Sequence, residues 1–413
     1  MIILGIETSC DETAIALIES ADRKNIRVLA DKTLSQIELH KRYGGVFPNM
    51  AKREHSRNLV PLLKVVLEEG FGNPKSQISN HKQTPMEQTV NLEKIFEKER
   101  DLLEQFLEVI PKIDLPHIDA IAVTEGPGLE PCLWTGINLA KALSLGWNIP
   151  VIPVNHMEGH IFSALLRRKN VKTFNFELLT FNLPAIALLI SGGHTELVLI
   201  KAPFTYEIIG QTKDDAVGEA FDKVARLLGL PYPGGPQISA LAEEARKSEV
   251  ESSELKVASS ETNNSKLKTV NLPRPMLHSK DYNFSFSGLK TAVLYLLKTI
   301  PEITDDTKKE VALEFENAVT EVLVSKTKAA IEQCGAKSLL IGGGVIANTH
   351  IRGAFEDLAH TYDRKYLLNG EFLHIPEKNL TTDNALMIAV AGLVHVSNRR
   401  KDELKARGNL RLA

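Results

Sequence analysis

Cysteine is scarce in this chain. Three thiols, Cys10, Cys132 and Cys334, stand far apart and form no CxxC pair, which argues against a disulfide framework and a cysteine-based zinc site. An excess of one charge is also lacking. With 49 Lys and Arg against 52 Asp and Glu the formal net charge is −3, so any contact with nucleic acid must come from a local patch. No apolar run approaches membrane-spanning length. No GxxxxGK[ST] is present, which excludes a P-loop nucleoside triphosphatase. The chain enters a strand at once (IILGIE), with no signal or transit peptide ahead of it, so a cytoplasmic location is expected. What remains is ordinary for a soluble globular protein: 43% hydrophobic and 24% charged residues over 413 positions, enough for two domains.

Periodicity gives the layout. IILGIE, TSCDET and AIALIE read as strand, turn and strand, and AIALLI, SGGHT and ELVLIK repeat the design much later. Two such hairpins, each opening one half of the chain, indicate an internally duplicated α/β protein. Helices are expected over 49–69, 135–146 with Gly146 as a stop, 214–229 ending at Gly229, and 307–333. Strands are expected at 118–126, 150–156 and 337–344. Residues 72–90 are polar and aperiodic and lead into a charged amphipathic helix carrying Ile95, Phe96, Leu102, Leu103, Phe106 and Leu107. Residues 247–270 are rich in Ser, Glu and Lys and read as loop or disorder.

The most informative stretch is VNHMEGH, residues 154–160. His156 and His160 are four apart at a helix start, on one helical face, so both imidazoles can reach one metal ion. Alone, a His pair on a helix is more often core or surface than ligand. A third ligand is available in Asp383 of NLTTDNALMIA, where Thr381 or Thr382 could cap the following helix with Asp383 in its first turn. Two His and one carboxylate leave open positions and suit Fe(II) or Zn(II).

Three glycine turns, Ser191-Gly192-Gly193, Gly234-Gly235 and Gly342-Gly343-Gly344, can bring backbone N–H groups close to a phosphate. The third is the strongest, because a helix start follows it. Asp222, offset from the apolar stripe of its helix, could accept a ribose hydroxyl or simply pair with Lys223 or Arg226.

Taken together, GIETSCDET, YGGVFPNMAKREH, GPGL, VNHMEGH, LLISGGHTELV, DDAVGEAFDKVARLLGLPYPGGP, FSFSGLKTA, IGGGVIAN and TDNALMIA occur in the order of one family. The chain resembles the bacterial tRNA N6-adenosine threonylcarbamoyltransferases, whose relatives include the catalytic subunit of the KEOPS complex. The resemblance covers nearly the whole chain apart from the two insertions. It implies the ASKHA fold, two duplicated α/β lobes with a nucleotide and metal cleft between them. On that expectation, 1–155 form one lobe, with an insertion at about 72–112 and a C-terminal helix within 384–413 returning to it. Residues 156–383 form the other, with the insertion at about 247–270. Carried over by position, His156, His160 and Asp383 bind Fe(2+), one per subunit, with Zn(2+) as the alternative. Leu189, Ile190, Ser191, Gly192, Gly193, Asp222, Gly235 and Asn348 bind threonylcarbamoyl-AMP, and ATP or ADP can occupy the same place. No catalytic residue is assigned. The segment GPGLEPCLWTG, the two insertions and the C-terminal tail depart from the common bacterial pattern and leave the metal and nucleotide sites intact.

The implied reaction moves a threonylcarbamoyl group from its mixed anhydride with AMP to the N6 amine of adenosine 37, in tRNAs reading codons that start with A. That amine is a poor nucleophile, so the donor carbonyl needs polarising and the leaving phosphate needs stabilising. No protein nucleophile is required, and Cys10 need not be one. The implied partners are tRNA, a TsaB-like inactive paralogue and a TsaE-like ATPase, with a homodimer left open and no membrane. Two rivals remain. A metallopeptidase is disfavoured because Glu158 lies two residues after His156, about 200° around the helix from it. An ASKHA kinase fits the glycine turns but has no need of a His/His/Asp metal site. For RNA, Lys41, Arg42, Lys52, Arg53 and Arg57 form the better of two basic clusters; the other is Arg399, Arg400, Lys401, Lys405, Arg407 and Arg411 in the tail.

Overall fold

The computed structural model describes residues 1–72, 87–113, 117–170, 174–258, 270–366, 371–397 and 403–412. The chain forms two compact units, Met1–Thr180 with Ile375–Leu412, and Phe181–His374. No described helix is long and apolar enough to cross a membrane.

Unit 1 is built on seven strands: β1 (Ile2–Glu7), β2 (Glu12–Glu19), β3 (Asn25–Ser35), β4 (Ala120–Gly126), β5 (Val151–Asn155), β6 (Leu166–Arg168) and β7 (Asn175–Leu178), in the order β5-β4-β1-β2-β3-β7-β6. β1, β2 and β3 form an antiparallel meander, while β4 and β5 join parallel. Unit 2 repeats this with β8 (Ala185–Ile190), β9 (Thr195–Ala202), β10 (Thr205–Gln211), β11 (Ser338–Gly342) and β12 (Leu373–His374), in the order β10-β9-β8-β11-β12. Again three strands run antiparallel and β11 and β12 join parallel. The two hairpins read from sequence are β1–β2 and β8–β9, and each opens the same five-strand plan. This is the duplicated α/β architecture of the ASKHA fold.

The central strands β4, β8 and β11 are buried at every residue and β1 at all but its first. That is why they read as continuous apolar runs: both faces of the sheet are covered. In unit 1, helices Pro48–Phe71 and Glu130–Trp147 cover one side, and helix Ala385–His395 packs on β1 and β4. The last helix lies flush on the sheet. A Cβ on Gly5 would stand 2.5 Å from the Ala385 carbonyl oxygen, and one on Gly392 would stand 2.3 Å from the Ala122 Cβ. Its sequence, ALMIAVAGLVH, is apolar on every side because it is buried on every side.

Three expectations need correction. The boundary falls at 180/181 and 374/375, whereas 155/156 and 383/384 are expected from the sequence. The reason is pairing: β7 adds to β3 and β6 adds to β7, which keeps residues 156–180 with unit 1. The amphipathic insert is two helices, Glu87–Ile95 and Arg100–Val109, broken at a turn. Phe96, Leu102 and Phe106 are buried in the unit 1 core, and the turn residue Glu99 bonds Lys52 at 2.6 Å and the Asn138 amide at 2.9 Å. Residues 247–258, read as loop, continue helix Gly234–Ala258, which packs on helix Asp305–Cys334 through Ile238, Ala242 and Ala245. Positions 73–86 and 259–269 of the two insertions lie outside the described residues.

Candidate functional site

The His pair stands where a strand turns into a helix. β5 ends at Asn155, whose side chain accepts from the backbone N–H of Met157 at 2.9 Å and of Glu158 at 3.4 Å. This N-cap starts helix His156–Ala164 at the first ligand. One turn on, His160 shares its face; the two rings are 4.8 Å apart, centroid to centroid.

Asp383 arrives by a route the sequence misreads. Neither Thr381 nor Thr382 caps the helix. The Thr381 hydroxyl donates to the Lys378 carbonyl, and Asn384 is the cap, accepting from Met387 N–H at 2.9 Å. Asp383 therefore lies just outside the helix, and its carboxylate is free for other work. Its Oδ1 lies 3.3 Å from His156 Nε2 and 3.2 Å from His160 Nε2. Ser163 donates to the Leu380 carbonyl at 2.7 Å and ties the two ligand segments together.

Glu7 completes the surroundings and is absent from the sequence-based site. It is fully buried at the end of β1 and lies 3.1 Å from His156 Nδ1. Ser9 N–H and the Thr124 hydroxyl donate to its carboxylate at 2.5 and 2.6 Å. The arrangement places Nδ1–H toward Glu7 and leaves Nε2 facing Asp383, as an outer-shell carboxylate does for a metal-binding His. The only hint in the sequence is a carboxylate closing an otherwise apolar strand.

Burial alone would raise the Asp383 carboxyl, yet His156 and His160 hold it far below the usual range. Burial likewise works against charge on Glu7, and His156 outweighs it and lowers that carboxyl. For His156, burial opposes the proton, but Asp383 and Glu7 overcome it and raise the imidazole well above its ordinary value. The decisive observation is His160. It is 0% exposed and neither ring nitrogen is assigned a hydrogen bond, while the Asp383 carboxylate lies 3.2 Å from Nε2. A buried imidazole without partners is costly. One ligand atom from each of His156, His160 and Asp383 lies within 4.8 Å of the others, so the residues fit a metal ion. Cys10 is no nucleophile here, because burial and then the carboxylates of Asp11 and Asp383 push its thiol well up. Glu158 bonds His395 at 2.8 Å and does not belong to the ligand cluster.

Next to this centre, His55 is buried as a neutral ring. Its Nδ1 takes the Thr13 hydroxyl at 2.7 Å, and its Nε2–H donates to the Cys10 carbonyl at 2.9 Å. Burial depresses its pKa to about 4. The unfolded chain binds this proton near pH 6.5 and the folded one does not, so stability is complete above about pH 6.5 and falls as pH drops toward 4. Denaturant titration should show a loss of about 2 kcal/mol between pH 7 and pH 5 from this residue. His55→Gln should flatten that part of the profile; an unchanged slope would mean that His55 carries no such linkage.

The expected donor-binding residues all lie in unit 2. Leu189 and Ile190 are buried at the end of β8, and Ser191 opens the turn, accepting from His194 N–H at 3.1 Å. Gly192, Gly193 and Gly235 face open space where a side chain would stand. The turn meets helix Val217–Leu227, whose Gly218 N–H donates to Ser191 O at 3.2 Å. Asp222 does not make the alternative pairing with Lys223, which goes to Asp215 at 2.6 Å and Glu219 at 2.9 Å. Asp222 instead accepts from Gly234 N–H at 2.6 Å and so holds the second glycine turn. The third turn differs from expectation. Gly343, at φ +98, serves close chain packing, since a Cβ would stand 2.3 Å from the Ile190 carbonyl oxygen. A 3-10 turn, Gly344–Ala347, then precedes helix Thr349–Tyr366, and Asn348 caps that helix by accepting from Ile351 N–H at 2.9 Å. The Asn348 amide donates to the fully buried Glu316 at 2.5 Å, and Glu316 pairs with Arg246 at 2.6 Å.

A duplicated ASKHA architecture with a His/His/Asp cluster able to hold a metal ion defines a two-unit α/β protein with a candidate metal centre. The family model described as "TsaD: tRNA N6-adenosine threonylcarbamoyltransferase" matches residues 27–75 and 100–390. Curated relatives named tRNA N6-adenosine threonylcarbamoyltransferase agree. The one from Chromobacterium violaceum is 38% identical, over 96% of this chain and 93% of its own. That from Thermosipho melanesiensis is 39% identical over 95% and 94%, and that from Bacillus subtilis 39% over 95% and 90%. The chain belongs to the tRNA N6-adenosine threonylcarbamoyltransferase family and is an acyltransferase of tRNA modification.

Proposed function

We propose that this chain transfers a threonylcarbamoyl group from threonylcarbamoyl-AMP to the N6 amine of the adenosine beside the anticodon, releasing AMP. The C–O bond of the mixed anhydride breaks, a C–N bond forms, and the amine gives up one proton. The observation that carries the metal assignment is the fully buried His160 with two unpartnered nitrogens beside Asp383 and His156. His156, His160 and Asp383 would hold Fe(2+), with Zn(2+) the alternative donor-compatible ion. When bound, the ion supplies a fixed positive charge for oxygen atoms of the donor. Glu7 orients His156, and Asn155 and Asn384 fix the two backbone segments that bear the ligands.

In unit 2, the amides of the Ser191–Gly193 turn and the open face of Gly235 suit the phosphate and ribose of an adenylate. Asp222 and Asn348 are each held in a single orientation by their hydrogen bonds, which lowers the cost of ordering on binding. Turnover in concert with a TsaB-like paralogue and a TsaE-like ATPase belongs to the same reading.

The test is reconstitution with unmodified tRNA and threonylcarbamoyl-AMP, scored by the mass of the modified nucleoside. Asn348→Ala should weaken AMP binding by about 1–3 kcal/mol in calorimetry while metal content stays at the wild-type level. Equal AMP affinity would remove Asn348 from the site. Asp222→Ala should act in the same direction, by loss of its own contact and of the pinned Gly234 turn.

A further inference from the structure

We propose that the turn Arg42–Phe47 is a stacking platform for unpaired bases of an RNA loop, with Tyr43 and Phe47 as the stacking faces and Arg42 and Arg53 as the phosphate contacts. The proposal rests on the reading that the chain modifies tRNA.

Tyr43 and Phe47 are 54% and 48% exposed, and their rings meet edge to face with centroids 5.3 Å apart. Two adjoining aromatic rings left in water forgo the burial that usually places such side chains inside. They are not left out by a slack loop. The turn joins helix Ile37–Lys41 to helix Pro48–Phe71, and Gly44 and Gly45, at φ +67 and +157, let the chain reverse. Beneath it His40 is fully buried. Its carbonyl accepts from Tyr43 N–H at 2.9 Å, its Nδ1 accepts from Phe47 N–H at 3.4 Å, and its Nε2 meets Gln36 Oε1 at 3.2 Å. Gln36 N–H in turn donates to the Asp11 carbonyl at 3.0 Å. Asp11 belongs to the loop in which Ser9 lies 3.3 Å from the ligand His156. The rings are thus displayed by a braced turn that is hydrogen-bonded to the loop of the metal centre.

Charge decides the occupant. Of the five cations in the basic segment, Lys41 is paired with Glu38 at 3.6 Å, Lys52 with Glu99 at 2.6 Å and Arg57 with Glu54 at 2.8 Å. Arg42 and Arg53 are exposed and have no carboxylate partner among the described residues. The first turn of helix Pro48–Phe71 carries no acidic residue. Exposed aromatic rings on a segment that also carries two exposed guanidinium groups without a carboxylate partner among the described residues match the two components of single-stranded nucleic acid, a π face and a phosphate. The substrate adenosine, beside the anticodon, is presented in such a loop.

The experiment measures binding of a labelled anticodon stem-loop RNA to the full chain by fluorescence anisotropy over a salt series. Tyr43→Ala with Phe47→Ala should weaken binding about tenfold or more, the scale of lost base stacking, while Tyr43→Phe with Phe47→Trp keeps it. Arg42→Gln with Arg53→Gln should reduce the slope of log affinity against log salt by about 2. Metal content, AMP affinity and thermal midpoint should stay at wild-type values in all of these variants, since the four side chains are exposed. Unchanged RNA affinity in the alanine pair, with wild type binding normally, overturns the platform alone. So does an equal loss toward a fully paired RNA stem, which would mark the site as a charge contact. Loss of a protein partner with RNA binding intact also overturns it. No RNA binding and no nucleoside modification by wild type with its partners would instead overturn the tRNA reading beneath it.

Discussion

The double variant His156→Ala with His160→Ala should fold, carry no stoichiometric metal and show no measurable transfer. Folding persists because His160 contributes no hydrogen bond and the helix keeps its Asn155 cap. Removing two of three ligands should lower metal affinity by more than about a hundredfold, since loss of an outer-shell partner alone costs about 10–100-fold. Glu7→Gln is the graded counterpart. It keeps all three ligands but exchanges a buried carboxylate for an amide beside His156 Nδ1, and should fall within that 10–100-fold range. Elemental analysis of dialysed protein, alongside circular dichroism, checks both. Stoichiometric metal retained by the double variant would reject the ligand assignment outright.

The second large effect concerns the insert. Phe96 is fully buried and packs against Phe106 at a centroid distance of 5.6 Å. Phe96→Ala should therefore cost about 3–5 kcal/mol, the usual range for emptying a core aromatic site, read from denaturant midpoints. Metal binding in the remaining folded fraction should be unaffected. A loss below about 1 kcal/mol would show that the insert is an appendage whose apolar face is meant for another protein. Glu99, paired with Lys52 and Asn138, argues the same way: the insert is built into unit 1.

What the sequence disclosed follows from range. The paired hairpins were legible because β-branched apolar runs around a polar turn are local signals, and so was the His156/His160 face, set by helical spacing. Asp383 could be named as an available third ligand, but nothing local distinguishes it from a helix-capping carboxylate. The cap itself went to Asn384, one residue on, because the Thr381 hydroxyl had a closer acceptor in the Lys378 carbonyl. Glu7 was invisible for a related reason: its role exists only once β1, β4 and the His156 helix are assembled. Helix Gly234–Ala258 was missed because its buried stripe is narrow and of small residues, Ile238, Ala242 and Ala245, and a charged, serine-rich surround masks it. The lone glycines divided by geometry: Gly343 for chain packing, Gly192, Gly193 and Gly235 for open space.

The order of the ligands along the chain has a consequence for biosynthesis. His156 and His160 are translated before any of unit 2, and Asp383 only after all of it. The helix that completes the unit 1 sheet, Ala385–His395, follows at once. A nascent chain halted at residue 374 has every strand of both sheets but neither the third ligand nor the helix that Gly5 and Gly392 are shaped to receive. The three side chains that could hold a metal ion are thereby brought together only after the strands of both sheets have been translated, and a product truncated before Asp383 lacks the third of them.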